Sequence, residues 1–205
     1  MSRRSGRRIG LLGGSFNPAH AGHKKISDLA LRLLGLDEVW WLVSPQNPLK
    51  PENGMASFDE RLAGAQKLAG RGRIKVSDFE ARNNFRYTAD TLKSLQKRYR
   101  NYRFVWIMGA DNLVQLPRWR RWTEILATVP VAIFDRPRYS HKALAGRAAQ
   151  RFASCRINHR ARRNLADQPP PAWLFLWAAY DPASASAIRA EKSGRANSTD
   201  GTDDV

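Results

Sequence analysis

Residues 8–23 of the chain read R-I-G-L-L-G-G-S-F-N-P-A-H-A-G-H. The apolar run at 9–12 has the length of one buried strand. Gly13 and Gly14 are expected to end that strand, because glycine allows sharp turns and lets a ligand approach the backbone. From His20 onward, apolar residues recur at the spacing of one helix face. The stretch therefore predicts a strand, a glycine turn and a helix, with His20 and His23 at the helix start.

The two histidines lie where a helix binds anions. The first backbone N–H groups of a helix have no internal partner, and the helix dipole favours negative charge there. An imidazole at the same end adds a donor that can carry a proton near neutral pH. Capping or surface histidines would need no ligand, but His20 and His23 lie three apart behind a Gly-Gly pair. This spacing favours a phosphate pocket.

Length and composition predict one globular domain. The 205 residues, 42% of them hydrophobic, suit a single core. We expect the domain to span 1–190, with a basic arm at 1–7 and a disordered tail at 191–205. No apolar stretch approaches the ~20 residues that span a bilayer, and no signal peptide is evident. Because Cys155 is the one cysteine, no internal disulfide forms, and the predicted location is the cytoplasm.

The net charge of +17, from 35 Lys and Arg against 18 Asp and Glu, raises the question of nucleic acid. The basic residues are scattered along the chain, and none joins the motif of an RNA-binding module. A small anionic nucleotide would benefit from the same field. Nucleic acid is therefore the lesser alternative, and a nucleotide substrate is preferred.

The order of apolar runs predicts an α/β fold with a mostly parallel sheet between helices. Strand, helix and strand within residues 8–44 form one βαβ unit, which implies parallel pairing and a right-handed crossover. Ser57 and Glu60 have the spacing of a capping box. Further strands are expected at 73–77, 102–108, 129–135 and 172–177, and helices at 57–68, 88–99 and 142–152.

Several polar and aromatic residues follow these elements, and each has a structural alternative. Asp111 comes just after a strand, where open α/β sheets bind ligands, and it suits a ribose, a metal ion or a helix N-cap. Thr88 and Asp90 are alternative N-cap candidates for the predicted helix at 88–99. Trp119 and Trp122, three apart on one predicted helix face, either stack on a heteroaromatic ring or pack on the sheet. Lys50, in a proline loop, either reaches a phosphate or is solvated.

A second anion site is predicted near the end of the chain. Ser184 and Ser186 are candidate caps of a helix, and Arg189 lies three residues after Ser186 and hence on the same face. Hydroxyls, free N–H groups and a guanidinium would then point at one spot, which suits a triphosphate tail.

The motif Gly14-x-Phe16-x-Pro18-x-His20-x-Gly22-His23 resembles that of the HxGH nucleotidylyltransferases, most closely the bacterial nicotinate-mononucleotide adenylyltransferases. The resemblance covers ordered motifs over most of 8–190 and implies a Rossmann-like fold. It also implies a reaction that joins ATP to nicotinate mononucleotide and releases pyrophosphate. By this resemblance the catalytic residues are His20, His23 and Arg189, and the ATP-binding residues are Gly13, Gly14, Ser15, Phe16, Gly22, Gly109, Asp111, Ser184 and Ser186.

The resemblance also assigns the mononucleotide end to Lys50, Thr88, Trp119 and Arg120. Relatives often have tyrosine where this chain has Arg120, and an arginine there suits the nicotinate carboxylate. The second motif departs from the family at Ala183, Ala185 and Ser186, but it keeps its hydroxyls and its arginine.

Mg²⁺ is expected to arrive with the ATP phosphates, without a metal-binding cluster on the protein. Two alternatives remain open at this point. In the first, the enzyme class is the same but the acceptor is nicotinamide mononucleotide or phosphopantetheine in place of nicotinate mononucleotide. In the second, the chain is a nucleic-acid-binding protein on a nucleotidyltransferase scaffold that has lost its activity.

Overall fold

The computed structural model describes residues 6–45 and 54–177, which form one six-stranded sheet covered by helices. All five strand pairs are parallel, in the order β3-β2-β1-β4-β5-β6. The predicted α/β fold with a parallel sheet is confirmed. The strands are β1 (Arg8–Gly14), β2 (Glu38–Val43), β3 (Ile74–Ser77), β4 (Arg103–Gly109), β5 (Val131–Phe134) and β6 (Trp173–Leu176).

The helices fill the connections between the strands. They are α1 (Ala21–Leu33), α2 (Phe58–Ala69), α3 (Phe79–Arg82), α4 (Thr88–Arg98), α5 (Ala110–Gln115), α6 (Trp122–Thr128), α7 (Ser140–Leu144) and α8 (Arg147–Arg151). Shorter 3-10 segments lie at Leu116–Arg118, Ala153–Cys155 and His159–Asp167. Within the described ranges, no helix has both the length and the apolar character that a membrane crossing requires.

Alternating strand residues supply two hydrophobic cores, one on each face of the sheet, as a pleated strand buried on both sides requires. Trp106 of β4 belongs to the core under α4, α5 and α6, whereas its neighbour Ile107 belongs to the core under α1 and α2. Both cores are closed by apolar helix residues, such as Leu92 of α4 and Ile26 of α1. The sheet is therefore a rigid base whose carboxyl edge carries the connecting loops.

Strand β1 continues through Gly14, so the prediction that Gly13 and Gly14 end the strand is wrong. A Cβ atom on Gly13 would lie 2.4 Å from Cη2 of the buried Trp106. Glycine is needed here because an indole covers the backbone. The left-handed backbone of the turn falls instead on Phe16, at φ +47°.

Two N-cap alternatives and one expected helix face are not found in the structure. The N-cap of α4 is Tyr87, so Thr88 is the first helical residue, and the N-cap of α5 is Gly109, so Asp111 lies inside the first turn. Trp119 and Trp122 do not share a helix face, because Trp119 ends a 3-10 segment and Trp122 begins α6. Between them Arg121 adopts φ +56°, which breaks the helix.

Candidate active site

The two histidines of the opening motif form a capping box at the start of α1. The N-cap residue His20 accepts a hydrogen bond at Nδ1 from the Gly22 N–H, at 3.2 Å. His23 accepts one at Nδ1 from the His20 N–H, also at 3.2 Å. The two ring centroids are 3.9 Å apart. The predicted helix start is thus confirmed, with the imidazoles replacing the usual hydroxyl and carboxylate.

These hydrogen bonds fix the tautomer of both rings. Because each Nδ1 accepts a backbone N–H, a neutral ring carries its proton on Nε2. Burial, together with the positive charge of Arg136, lowers the pKa of His20 below its ordinary 6.5. His20 is therefore a neutral Nε2–H donor at physiological pH.

An aromatic stack lies behind His23. The buried ring of Phe16 lies 4.7 Å from the His23 ring and 5.1 Å from the Trp41 ring, measured between centroids. Trp41 Nε1–H donates to Ser27 Oγ at 2.7 Å, and the Ser27 hydroxyl donates to the His23 carbonyl at 2.8 Å. Ring packing and hydrogen bonds thus hold His23 from two sides, which restricts its orientation.

Asp111 and Arg136 form the neighbouring part of the carboxyl edge. They follow β4 and β5, and Arg136 Nη1–H donates to Asp111 Oδ2 at 2.7 Å in a largely buried ion pair. Strands β1, β4 and β5 are adjacent, and the Arg136 charge acts on His20, so the loops after the three strands converge. Sequence reasoning missed Arg136. Its signal was an arginine directly after a predicted strand, at the same edge as Asp111.

Asp111 has one carboxylate oxygen to offer to a ligand. Its Oδ1 is buried and has no hydrogen-bond partner among the residues that the structure describes. A Cβ atom on Gly109 would lie 2.5 Å from this oxygen. Glycine at position 109 therefore leaves room for the carboxylate. An unpaired buried acceptor needs a donor, and the hydroxyls of a ribose are suitable.

A third group of predicted site residues lies at the start of α4 and before α6. The Arg120 guanidinium lies over the Tyr87 ring, 5.1 Å from its centroid, and this contact brings Arg120 beside Thr88. Trp119 is half-buried and packs on the core. The next residue, Arg121, donates to Asp90 of α4 at 2.5 Å and to Glu124 of α6 at 2.8 Å. These ion pairs tie the Trp119–Arg120 segment to α4.

The comparisons with known proteins agree with this geometry. Residues 11–191 match the family model described as cytidylyltransferase-like. The chain is 52% identical to a protein of Parvibaculum lavamentivorans over 92% of its own length and 94% of the relative's. It is 54% identical to one of Methylorubrum extorquens over 89% and 98% of the two chains. Both relatives bear the name "Probable nicotinate-nucleotide adenylyltransferase".

The chain belongs to the nicotinate-nucleotide adenylyltransferase family. Among solved structures it is similar to Plasmodium falciparum nicotinic acid mononucleotide adenylyltransferase complexed with NaAD. That likeness has a TM-score of 0.67 at 18% identity and covers 90% of this chain and 83% of the other. The predicted family and the Rossmann-like nucleotidyltransferase fold are both confirmed.

Four predicted site residues of this family member lie outside the described ranges. They are Lys50, Ser184, Ser186 and Arg189. The described part of the chain reaches Trp177, one residue after β6 ends. Because β6 is parallel to β5, that end lies at the same edge of the sheet as His20 and Arg136.

The described residues offer no ready-made metal cage. No three His, Cys, Asp or Glu side chains in 6–45 and 54–177 cluster as metal ligands would. Of the carboxylates at this edge, Asp111 is already paired with Arg136, and Asp135 accepts a hydrogen bond from the Ser140 hydroxyl. The donors here are mainly N–H groups, which suit phosphate oxygens.

Proposed function

We propose that this protein transfers the adenylyl group of ATP to nicotinate mononucleotide, forming nicotinate adenine dinucleotide and pyrophosphate. The observation that carries the proposal is the pair of adjacent imidazoles, each held with its proton on Nε2, at the start of α1. Two fixed Nε2–H donors at the positive end of a helix dipole bind phosphate oxygens. The names of the relatives supply the acceptor.

The reaction is an in-line displacement at the α-phosphorus. A phosphate oxygen of the mononucleotide forms the new bond, and the bond from the α-phosphorus to the bridging oxygen of pyrophosphate breaks. No covalent enzyme intermediate is needed, so catalysis consists of positioning and charge stabilisation. His20 and His23 donate to the α- and β-phosphates. His23, held by the aromatic stack, stabilises the charge that accumulates in the transition state.

The remaining ATP contacts follow from the loops at the carboxyl edge. The unpaired Asp111 oxygen accepts a ribose hydroxyl. Arg189 takes the departing β- and γ-phosphates, which is consistent with β6 ending at this edge. Mg²⁺ enters as part of the MgATP substrate, held by phosphate oxygens and water. The other residues assigned to ATP are Gly13, Gly14, Ser15, Phe16, Gly22, Gly109, Ser184 and Ser186.

The nicotinate end of the acceptor is assigned to the segment beside α4. Trp119 supplies a ring face, Thr88 supplies a hydroxyl and a helix N-terminal N–H, and Arg120 supplies a cation for the carboxylate. The Arg120–Tyr87 contact keeps that cation next to Thr88. Lys50 is assigned to the mononucleotide phosphate.

We assign this activity to a single domain, residues 1–190, with the tail at 191–205 outside it. The cytoplasmic location remains a prediction from the single cysteine.

The deciding experiment measures pyrophosphate release from MgATP with four acceptors: nicotinate mononucleotide, nicotinamide mononucleotide, phosphopantetheine and no acceptor. We expect the acid mononucleotide to give the highest kcat/KM. Faster turnover of the amide or of phosphopantetheine would change the acceptor and keep the enzyme class. An absence of turnover with all of them, combined with salt-dependent RNA binding, would contradict the proposal.

A further inference from the structure

A buried arginine joins the loop after β1 to the loop after β2. Arg61, on α2, is only 3% exposed. Buried arginines usually pair with carboxylates, but the partners of Arg61 among the described residues are backbone carbonyl oxygens. The four distances are 3.1 Å from Nε to Ala56, 2.6 Å and 2.8 Å from Nη1 to Ser15 and Ser44, and 2.8 Å from Nη2 to Pro45.

The shape of the guanidinium explains the choice of residue. Its five donors lie in one plane and point in fixed directions, so one side chain reaches carbonyls from three separate segments. A lysine ammonium has three donors on a single atom and cannot span the same positions. The Arg61 stem is further fixed by the Phe58 ring, whose centroid lies 5.5 Å from its guanidinium carbon.

The shortest of the four hydrogen bonds, from Arg61 Nη1 to the Ser15 carbonyl, sets the orientation of the Ser15–Phe16 peptide. The Ser15–Phe16 peptide is trans, so its N–H points away from its carbonyl. With the Ser15 carbonyl held by Arg61, the Phe16 N–H is directed to the opposite side of the loop. Phe16 also has a left-handed backbone at φ +47°, which a non-glycine residue keeps only when its surroundings enforce it.

The same contact reaches His23 through the Phe16 ring. That ring is buried between Trp41 and His23, with the His23 centroid 4.7 Å away. Any rotation of the Ser15–Phe16 peptide would move the ring and therefore the imidazole that packs on it.

We propose that Arg61 is a positioning residue of the adenylyl-transfer site, which fixes the Ser15–Phe16 peptide and, through the Phe16 ring, the orientation of His23. The proposal rests on the proposed function. Arg61 touches no reacting atom. It determines whether the loop after β1 and the start of α1 present their donors to the same phosphates.

The test compares Arg61→Lys with Arg73→Lys. Arg73 also donates to a backbone carbonyl, that of Leu36 at 3.5 Å, but at the opposite edge of the sheet. Both variants are assayed at a temperature where circular dichroism shows each to be folded. We expect Arg61→Lys to raise the KM for ATP and lower kcat by at least ~10-fold each, because misplaced reacting groups cost about that much or more. Arg73→Lys should stay within about twofold of the wild type.

Three results separate the possibilities. If Arg61→Lys lowers Tm but keeps kcat and KM within about twofold, Arg61 only braces the fold and the proposal is overturned. Should Arg61→Lys fail to fold, Arg61→Gln is assayed in its place, and a second failure also overturns the proposal. If the wild-type enzyme makes no dinucleotide, calorimetric binding of a non-hydrolysable ATP analogue replaces turnover. A ~10-fold weaker Kd in Arg61→Lys then supports the positioning role, although the proposed function has failed.

Discussion

The backbone N–H of His20 donates to Nδ1 of His23 at 3.2 Å, so the cap of α1 and the proposed phosphate site are made of the same two side chains. A conventional capping box uses a hydroxyl and a carboxylate, which would place negative charge at the helix start. With two imidazoles, the helix is capped and its N-terminus stays attractive to an anion. Substitution of either imidazole should therefore affect both the stability of the start of α1 and the proposed binding of phosphate.

His23→Ala should lower kcat by at least ~10²-fold, the scale of losing one donor to a developing charge. It should also cost about 1 kcal/mol of stability, because the half of the capping box that satisfies the His20 N–H is lost. The measurement is steady-state pyrophosphate release together with urea unfolding. Lys24→Ala, at the exposed neighbouring position, is the control and should leave kcat unchanged. Normal turnover in His23→Ala would remove His23 from the chemistry.

The kcat/KM for ATP should fall at acid pH, with a midpoint below 6.5. Burial and the Arg136 charge lower the pKa of His20, so the ring is neutral above that value and gains a proton only at lower pH. The added proton on Nδ1 would break the hydrogen bond from the Gly22 N–H. A pH–rate profile of the free enzyme tests this.

The same lowered pKa has a consequence for stability. The unfolded chain takes up the proton near pH 6.5 and the folded chain only at lower pH, so this contribution is complete above 6.5 and is lost as the pH falls. His159→Gln, at an exposed histidine, serves as the control and should keep the pH–rate profile of the wild type. A midpoint of kcat/KM above pH 6.5 would show that His20 is not the titrating group.

Arg120→Met should reduce the preference for the acid mononucleotide over the amide. A charge-assisted hydrogen bond to the nicotinate carboxylate is worth about tenfold in kcat/KM at this exposed site. The amide has no carboxylate, so its kcat/KM should not change. Arg118→Met, at the exposed last residue of the 3-10 segment before Trp119, is the matched control. An equal loss with both substrates would mean that Arg120 only packs on Tyr87.

Local patterns predicted the parts of the molecule that local forces determine. The helix at His20 and the capping box of Ser57 and Glu60 were correct, since their partners lie within three residues. Arg136 was missed because its partner Asp111 lies 25 residues away in the chain, and Arg61 was missed because its contact with Ser15 spans 46 residues. Contacts between residues so far apart in the chain cannot be recognised from the spacing of neighbouring residues.

The break between Trp119 and Trp122 was missed for the same reason. The left-handed backbone of Arg121 is stabilised by Asp90, 31 residues earlier, so tertiary contacts override the helical spacing of the two tryptophans. The prediction that Gly13 ends the strand failed because glycine there makes room for Trp106, which lies on a neighbouring strand.

Gly13→Ala should destabilise the fold by about 1–3 kcal/mol, the usual cost of overpacking a core. The new methyl group would lie 2.4 Å from Trp106, which is 2% exposed and cannot move away. Gly64→Ala is the matched control, because a Cβ atom there meets nothing within 4 Å and the site is inside α2. That variant should be up to about 1 kcal/mol more stable than the wild type. Urea unfolding of both variants measures the difference, and equal stabilities would contradict the steric argument.

Glu80→Gln should become increasingly stabilising relative to the wild type as the pH rises from 4.5 to about 7. Glu80 is 8% exposed, and its carboxyl accepts a hydrogen bond from the Thr91 hydroxyl at 2.9 Å. Burial raises the pKa of Glu80 from 4.5 to about 7, and the Thr91 hydrogen bond offsets part of that rise. Below pH 4.5 the carboxyl is neutral in the folded and unfolded chains alike, and the wild type loses nothing.

Between those two pH values the unfolded chain releases its proton while the folded chain keeps it, so stability falls and then levels off above pH 7. The loss amounts to about 3 kcal/mol at most. The glutamine of the variant stays neutral at every pH, so the variant does not lose this stability. Thermal or urea unfolding of both proteins from pH 4 to 8 measures the difference. A difference that stays constant over this range would mean that the Glu80 carboxyl is ionised in the folded protein, and that its burial is compensated by contacts other than the one with Thr91.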